Sequence, residues 1–358
     1  MSLPVVGDSN DGEDTAAPIT ATPIARVVEL ATVVPERVTW LWPGYLPAGK
    51  LVLVDGDPGD GKSTLSLDLA ARLSTGSPMP DGSTTTPTSV LLLSAEDGIA
   101  DTIRPRLDAA GADMTRIGVF DGVFDGETTR PVELPRDVIE MERLVVERRV
   151  GLVVVDPLMA FLGGVDSHND QSVRRALHPL SRLADRTGAT FLVVRHLNKM
   201  SGGKALYRGG GSIGIAGAAR AVHLVAPDPD DDTRRLLAVV KSNLATKAPT
   251  LAYRLVSDDL HGCAAIRWEG ATAHTAEDLV RTDEEAAPRR EAIAFLEAIL
   301  SFEPTLATDV VKQAKSVGIA ERTLQRARAD LGVRVARKGF GPGSHVEWSL
   351  LGDADEQP

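Results

Sequence analysis

Cysteine is almost absent from this sequence, because Cys263 is the only one among 358 residues. A single thiol rules out an intramolecular disulfide, so we expect a reducing, cytoplasmic environment. Long apolar runs are also missing, since the longest are strand-sized and a membrane-spanning helix needs about 20 residues. The N-terminal end has no basic segment followed by an apolar one, so no signal peptide is expected. The sequence therefore predicts a globular protein with no membrane partner.

Excess positive charge is lacking as well, because 50 acidic residues outnumber 39 basic ones for a net charge of −11. This balance excludes a uniformly basic protein that coats nucleic acid, but it is compatible with a local basic groove. The charged and apolar fractions are typical of globular domains. The length predicts two domains, or one large domain with appendages.

Residues 51–64 combine a short apolar run, a glycine-rich turn and an amphipathic segment, and they match the pattern G-x-x-x-x-G-K-[ST]. Glycines let consecutive backbone N–H groups face a triphosphate, and the following helix adds the positive end of its dipole. Lys62 is placed to reach the β- and γ-phosphates, and the Ser63 hydroxyl to ligate Mg²⁺. The residues predicted to bind ATP are Gly56, Asp57, Pro58, Gly59, Asp60, Gly61, Lys62, Ser63 and Thr64.

Apolar strand-like runs alternate with helical segments through the first two thirds of the chain. This alternation predicts an α/β fold with a doubly wound parallel sheet and ligands at the carboxyl ends of its strands. Further strands after it are expected as antiparallel additions. The predicted parallel strands are 51–54, 90–97, 151–157 and 190–196, and the predicted additions are 221–226, 236–240 and 252–256.

Three polar residues follow predicted strands and are candidates for the chemistry. Asp156 ends an apolar strand, where it would hold Mg²⁺ as a Walker B aspartate does, or would only cap a turn. Glu96 ends the neighbouring strand and is the candidate for orienting the attacking water, with Asp97 next to it, although a solvated strand end is the alternative. His196 ends the fourth strand, where it either senses the γ-phosphate or is structural.

Taken together, Asp55–Ser63, Ser94–Asp97, Val153–Pro157 and Arg195–Asn198 resemble a RecA-like ATPase. Over about residues 40–268 the chain is most similar to the RepA-type hexameric replicative helicases of plasmids and their phage and actinobacterial relatives. The resemblance implies ATP and Mg²⁺ as ligands and self-association into a hexamer. It also implies catalytic roles for Lys62, Glu96, Asp156, His196 and Arg220, with Ser63 and Asp156 at the metal.

The resemblance gives two residues a role on a neighbouring subunit. Arg220 ends the stretch 208–220 and corresponds to an arginine finger, although a surface arginine is the alternative. Lys241 lies in a segment similar to a Lys-x-Arg motif and would contact the adjacent site or remain solvent-exposed. Asn243 stands where many members have arginine, which weakens that second assignment.

The loop after the fourth strand, residues 197–212, is rich in glycine and carries basic residues and Tyr207. In the family it resembles, this loop faces a central channel that binds single-stranded DNA. A glycine-rich backbone with cations suits a phosphate-tracking channel, while a loop with incidental charge is the alternative. The candidate contacts are Lys199, Lys204 and Arg208.

The C-terminal segment resembles a winged helix-turn-helix, with three helices and a basic hairpin. Over 289–350 ten basic residues face seven acidic ones, unlike the acidic remainder of the chain. We expect it to bind duplex DNA, with protein docking as the alternative. The candidate contacts are Arg322, Arg326, Arg328, Arg337 and Lys338.

The expected organisation is a disordered acidic tail (1–23), a RecA-like ATPase domain (24–270), a linker (271–288), the winged helix (289–351) and a second tail (352–358). The function predicted is an ATP-hydrolysing, DNA-associated motor, an oligomeric helicase or translocase in replication or repair. The first alternative is a DNA-bound regulatory or recombination-type switch ATPase that does not unwind DNA. The second is a non-enzymatic DNA-binding module.

Overall fold

The computed structural model describes residues 27–165, 169–197, 213–301, 304–339 and 344–350, without the side chains at 213 and 280–290. The chain divides into two units, 1–37 and 38–358. The described residues of the first unit are exposed and contain one 3-10 turn, Leu30–Thr32. The second unit thus begins at Val38, later than the predicted domain start at 24. The predicted tails, 1–23 and 352–358, lie outside the described residues.

The second unit alternates strands and helices along the chain. In chain order its strands are β1 (Trp40–Trp42), β2 (Leu46–Pro47), β3 (Leu51–Gly56), β4 (Ser89–Ser94), β5 (Ile117–Val119), β6 (Val123–Phe124), β7 (Thr129–Arg130), β8 (Val150–Asp156), β9 (Thr190–His196), β10 (Ala221–Asp228), β11 (Asp231–Ser242), β12 (Thr250–Asp258), β13 (Cys263–Thr272), β14 (Thr305–Leu306), β15 (Arg334–Lys338) and β16 (His345–Ser349). Its α-helices are α1 (Lys62–Thr75), α2 (Arg104–Ala109), α3 (Val138–Glu147), α4 (Leu158–Phe161), α5 (Asp170–Thr187), α6 (Ile213–Ala218), α7 (Ala276–Leu300), α8 (Ala307–Ser316) and α9 (Glu321–Asp330). A π-helical turn, Ile99–Ile103, leads into α2, and a 3-10 turn, Met114–Arg116, leads into β5.

The central sheet has the strand order β13-β12-β11-β10-β3-β9-β8-β4-β5. The six strands from β10 to β5 run parallel, and β11, β12 and β13 extend the sheet in antiparallel fashion. Strand β9 therefore lies between β3, which leads into the glycine-rich turn, and β8, which ends at Asp156. This topology confirms the expected α/β class, with a parallel central sheet and antiparallel additions.

Two details of the additions differ from the expectation. Strand β10 is parallel to β3, with Ala221 opposite Val52, although residues 221–226 were predicted to be antiparallel. Strand β13, which has ten residues, was not predicted. Its residues are half-buried or exposed because it is an edge strand, so it lacks the continuous apolar run by which the inner strands were recognised.

Strand β3 buries side chains on both faces of the sheet. Leu51 and Leu53 join the core on the face covered by α3 and α5. Val52 and Val54 join the core on the opposite face, which α1 and α2 cover. Because successive side chains of a strand alternate between faces, a continuous apolar run is what a strand between two helical layers requires.

Helix α7 replaces the predicted linker. Residues 271–288 were expected to be irregular because they are polar and acidic, but β13 runs to Thr272 and α7 starts at Ala276. Thr275 and Asp278 form a capping box, in which each side chain accepts a hydrogen bond from the other residue's backbone N–H. The first helix of the C-terminal module therefore begins at Ala276 and not at Arg289.

The C-terminal module has its own small core. Leu296 of α7, Val310 of α8, Leu324 of α9 and Trp348 of β16 pack together. Strands β14, β16 and β15 form an antiparallel sheet in that order. Helices α7, α8 and α9 precede the hairpin β15–β16 in the chain. Among the helices described for this chain, none has the length and apolar character needed to cross a bilayer.

Candidate active site at the carboxyl edge of the sheet

The glycine-rich turn between β3 and α1 has the backbone that its sequence predicts. Gly59 and Gly61 adopt φ values of +87° and +79°, which residues other than glycine rarely adopt. A Cβ at Gly56 would lie 2.5 Å from the carbonyl oxygen of Val225, so only glycine fits there. The turn thus brings successive backbone N–H groups to the N-terminus of a 14-residue helix, where an anion is favoured.

Lys62 lies inside this turn and is 3% exposed. Its ammonium donates hydrogen bonds to the carbonyl oxygens of Gly56 at 2.9 Å and Asp57 at 2.6 Å. Burial lowers the pKa of Lys62, although Asp60 and Asp156 nearby favour the charged form. The ammonium is held at the place where the phosphates of a nucleotide would lie in such a turn.

Ser63 and Asp156 meet beneath the turn. Both residues face one small cavity. Burial raises the pKa of Asp156 to about 6, although the nearby Ser63 hydroxyl favours the ionised form. A cavity of about 10 Å³, lined by Ser63, Asp97 and Asp156, lies between them. It has room for one water-sized species, and hydroxyl and carboxylate oxygens are the ligands that Mg²⁺ prefers. The residues present therefore fit a magnesium ion.

Glu96 and His196 lie together at the same edge. His196 is opposite Gly56 in the register of β9 and β3. Its Nε2 atom is 3.9 Å from Oε2 of Glu96, whose side chain is 66% exposed. Burial lowers the pKa of His196, and the Lys62 ammonium lowers it further. The His196 imidazole thus lies between the turn and an exposed carboxylate, which is open to water.

Asp97 differs from Glu96 although the two are adjacent. Its carboxylate accepts a hydrogen bond from Arg106 of α2 at 2.9 Å, and the two form an ion pair. The pairing directs Asp97 toward α2, whereas Glu96 remains open. Of the two acids, Glu96 is the one whose geometry suits contact with a water molecule.

The antiparallel additions contact the glycine-rich turn, which sequence reasoning missed. The Tyr253 hydroxyl donates a hydrogen bond to the carbonyl oxygen of Asp60 at 3.3 Å. Nε of Arg235 is 3.6 Å from Oδ1 of Asp60, and burial raises the pKa of that carboxyl to about 6. Strands β11 and β12 therefore fix the tip of the turn. Tyr253 and Asp60 are 193 positions apart, so no local pattern signals this hydrogen bond.

Arg220 lies at the amino ends of the parallel strands, opposite the ends that form the candidate site. Its backbone N–H donates a hydrogen bond to the carbonyl oxygen of Leu51, at the start of β3. Gly56 lies five residues further along this strand, which is about 17 Å at 3.3 Å per residue. Arg220 therefore does not join the site formed by the turn of its own chain.

Lys241 is half-buried, and its ammonium is bonded within its own chain. Its ammonium donates hydrogen bonds to the carbonyl oxygens of Ala216 and Ala219, each at 2.8 Å. The backbone N–H of Asn243 donates to the carbonyl oxygen of Arg220 at 3.1 Å. Both residues of the predicted Lys-x-Arg-like motif thus hold the segment that ends in Arg220.

The basic residues of the C-terminal module differ in their surroundings. Arg322, Arg326 and Lys338 are all exposed. Arg337 donates a hydrogen bond to the Ser344 hydroxyl at 3.0 Å. Arg328, another candidate DNA contact, is half-buried, and its Cζ lies 5.1 Å from the ring centroid of Trp348. The predicted channel contacts, Lys199, Lys204 and Arg208, lie outside the described residues.

Part of the chain matches known proteins. Residues 17–202, more than half of the chain, match the model of a family described as AAA domain. DNA repair protein RadA of Listeria monocytogenes is 29% identical over 190 residues, 52% of this chain and 37% of that protein. RadA of Halalkalibacterium halodurans is 30% identical over 184 residues, 51% and 35% of the respective chains.

The chain spans about a third of the length of these curated relatives. Among solved structures, a KaiC-like protein from Pyrococcus horikoshii is similar with a TM-score of 0.46 and 15% identity, over 65% of this chain and 100% of that one.

Proposed function

Because this chain belongs to the AAA domain family, we propose that it binds ATP with Mg²⁺ and hydrolyses it. The observation that carries the proposal is the convergence of the glycine-rich turn, the Ser63–Asp156 pair and the Glu96–His196 pair at one sheet edge. Separate strands supply these groups. A structural turn alone would not need an open carboxylate and a buried ammonium beside it.

The position of each residue at this site suggests its role in ATP hydrolysis. The backbone of residues 56–64 binds the phosphates, and the Lys62 ammonium exchanges its two carbonyl partners for phosphate oxygens. Ser63 and Asp156 would hold Mg²⁺, and the ion would supply positive charge next to the phosphates. Glu96 orients the attacking water, and His196 contacts the γ-phosphate and links it to the loop that follows β9.

The wider proposal is a DNA-associated motor, an oligomeric helicase or translocase of the RepA type. Relatives named as DNA repair proteins support the association with DNA. The distance of Arg220 from its own turn supports a role in trans, in which this arginine acts as a finger on a neighbour's ATP. The proposed assembly is a hexameric ring, as the resemblance implies. Lys199, Lys204 and Arg208 would then contact single-stranded DNA.

The C-terminal module is proposed to be a winged helix that binds duplex DNA. Its helices α8 and α9 and its hairpin support this, as do Arg322 and Arg326 on α9. In such domains the second helix of the pair enters the major groove. Arg328 is not part of this surface, because it stacks on Trp348.

A second candidate function is a regulatory or recombination-type switch ATPase that does not unwind DNA. It is favoured by the names of the relatives, which denote DNA repair and not replication. A motor hydrolyses ATP rapidly on single strands and displaces a paired strand. A switch hydrolyses slowly and displaces nothing.

Steady-state ATP hydrolysis with and without single-stranded DNA tests the proposal, with Lys62→Ala and Glu96→Gln as the inactive variants. We expect stimulation by single strands and loss of hydrolysis in both variants. Strand displacement from a forked duplex then separates motor from switch. Hydrolysis that persists in Lys62→Ala would overturn the assignment of the site.

A further inference from the structure

A cavity of about 250 Å³ lies beside Arg220 at the amino edge of the sheet, on the opposite side from the glycine-rich turn. Arg174 and His178 of α5 line it together with Arg220 and Ser181, and Lys50 and Asp185 lie at its wall. Ligand pockets for whole small molecules are about 300–1,000 Å³. This cavity has room for one or two phosphate groups but not for a complete nucleotide.

The cavity is positively charged. The Asp185 carboxylate accepts a hydrogen bond from the Lys50 ammonium at 2.7 Å. Within the part of the chain that the structure describes, the guanidinium groups of Arg174 and Arg220 have no carboxylate partner. Burial, and after it the charges of Arg220 and Arg174, lower the pKa of Lys241. Three cations therefore lie near one another at this cavity, which favours the binding of an anion.

Arg174 is held in place by packing against α6. A Cβ built on Gly217 would lie 3.0 Å from Nη2 of Arg174 and 3.5 Å from its Cζ. Glycine inside a helix costs about 1 kcal/mol relative to alanine. At this position glycine provides the space for the guanidinium, so the helix that ends before Arg220 also places Arg174.

We propose that Arg174 and His178 join Arg220 in a phosphate-binding pocket, and that this pocket holds the terminal phosphates of ATP bound to a second copy of the chain. Guanidinium and imidazole N–H groups and the Ser181 hydroxyl are donors suited to phosphate oxygens. The size of the cavity requires that the rest of the nucleotide lie on another surface. This inference rests on the proposed function, because it extends the site in which Arg220 acts.

Lys241 has a different role in this pocket. Its two hydrogen bonds to the carbonyl oxygens of Ala216 and Ala219 end α6 directly before Arg220. Lys241 is thus a positioning residue for Arg220, while Arg174 touches the phosphates. The second cation that acts in trans comes from α5 and not from the Lys-x-Arg-like segment.

Mixing experiments with full-length variants test the pocket. Arg174→Ala should lower ATP hydrolysis roughly 100-fold, the usual cost of removing a donor to transition-state charge. Arg175→Ala is the matched control, because Arg175 is exposed on the same helix and does not line the cavity. Lys62→Ala has an intact pocket but a defective turn. An equimolar mixture of Arg174→Ala and Lys62→Ala should regain about a quarter of wild-type activity, since a quarter of randomly formed head-to-tail interfaces are complete.

The outcomes separate this inference from the proposed function. In the first outcome, mixing with Lys62→Ala restores ATP hydrolysis by Arg220→Ala, but Arg174→Ala hydrolyses ATP as fast as the control Arg175→Ala. Only the inference is then overturned. If Arg174→Ala is defective and mixing restores nothing, the pocket serves its own subunit or a free phosphate, and the inference is again overturned. If Lys62→Ala alone retains full activity, the proposed function itself fails.

Discussion

Asp55 and Arg195 form a bidentate ion pair inside the sheet, with Nε to Oδ1 at 2.8 Å and Nη2 to Oδ2 at 2.7 Å. Their side chains are 3% and 1% exposed. They face each other across β3 and β9, one residue before Gly56 and His196. The pair therefore joins the strand that leads into the glycine-rich turn to the strand that ends in the proposed sensor.

We expect Asp55→Asn to lower the free energy of unfolding by about 3–5 kcal/mol, because it leaves a buried guanidinium without its counter-charge. Urea unfolding of full-length protein measures this. The double variant Asp55→Leu with Arg195→Met should recover most of the loss, since it removes both buried charges. A single-variant loss below about 1 kcal/mol would contradict a structural role for the pair.

Ionisation of Asp60 should lower the stability of the folded chain as the pH rises. Burial raises its pKa from 3.8 to about 6 in the folded chain, so the folded state binds the proton more tightly than the unfolded state. The penalty for ionising this carboxyl is absent below pH 4 and complete above pH 6. We expect Asp60→Asn to be more stable than wild type at pH 8, by up to about 3 kcal/mol, and equal to it near pH 4.

Urea unfolding at pH 4, 6 and 8 measures the effect of Asp60→Asn. Asp232→Asn is the control, because Asp232 is exposed on β11. This substitution should change the free energy of unfolding only slightly, and by the same amount at each pH. A stabilisation by Asp60→Asn that does not change with pH would show that the Asp60 carboxylate is not the cause.

Lys241→Met should remove the two hydrogen bonds that end α6 and lower stability by about 1–3 kcal/mol. We expect a larger effect on kcat for ATP hydrolysis than on KM, because Arg220 is displaced while the turn is intact. Lys247→Met is the control, since Lys247 forms an exposed ion pair with Glu277. A change confined to KM would refute the positioning role.

The arginines of α9 should separate DNA binding from stability. Replacing Arg322 and Arg326 with alanine should weaken duplex binding and reduce its salt dependence, by about one unit of slope for each arginine that neutralises a phosphate. Arg328→Ala should instead cost about 1 kcal/mol of stability, because the guanidinium no longer stacks on Trp348, and it should leave the slope unchanged. Fluorescence anisotropy over a range of salt concentrations measures the slopes, and urea unfolding measures the stability. Equal slopes in all variants would favour the alternative that the module docks to protein.

Local sequence was sufficient for the parts of the fold that depend on short-range patterns. The turn at residues 56–64 needs glycines at fixed spacing and a helix behind it, and the inner strands need unbroken apolar runs because both faces are covered. These requirements are met within a few residues, so the order of strands and helices was predictable. The edge strand β13 and the start of helix α7 were missed, because solvent-exposed elements are polar and resemble linkers in composition.

Long-range packing decided the rest of the candidate site. The pairing of Asp55 with Arg195, of Asp60 with Tyr253 and of Arg328 with Trp348 depends on which strands and helices become neighbours. The position of Arg220 likewise depends on β10 joining β3 in parallel, which puts the arginine at the far edge of the sheet. A sequence specifies such contacts only through the complete fold, because the energy of a side chain depends on partners that are distant along the chain.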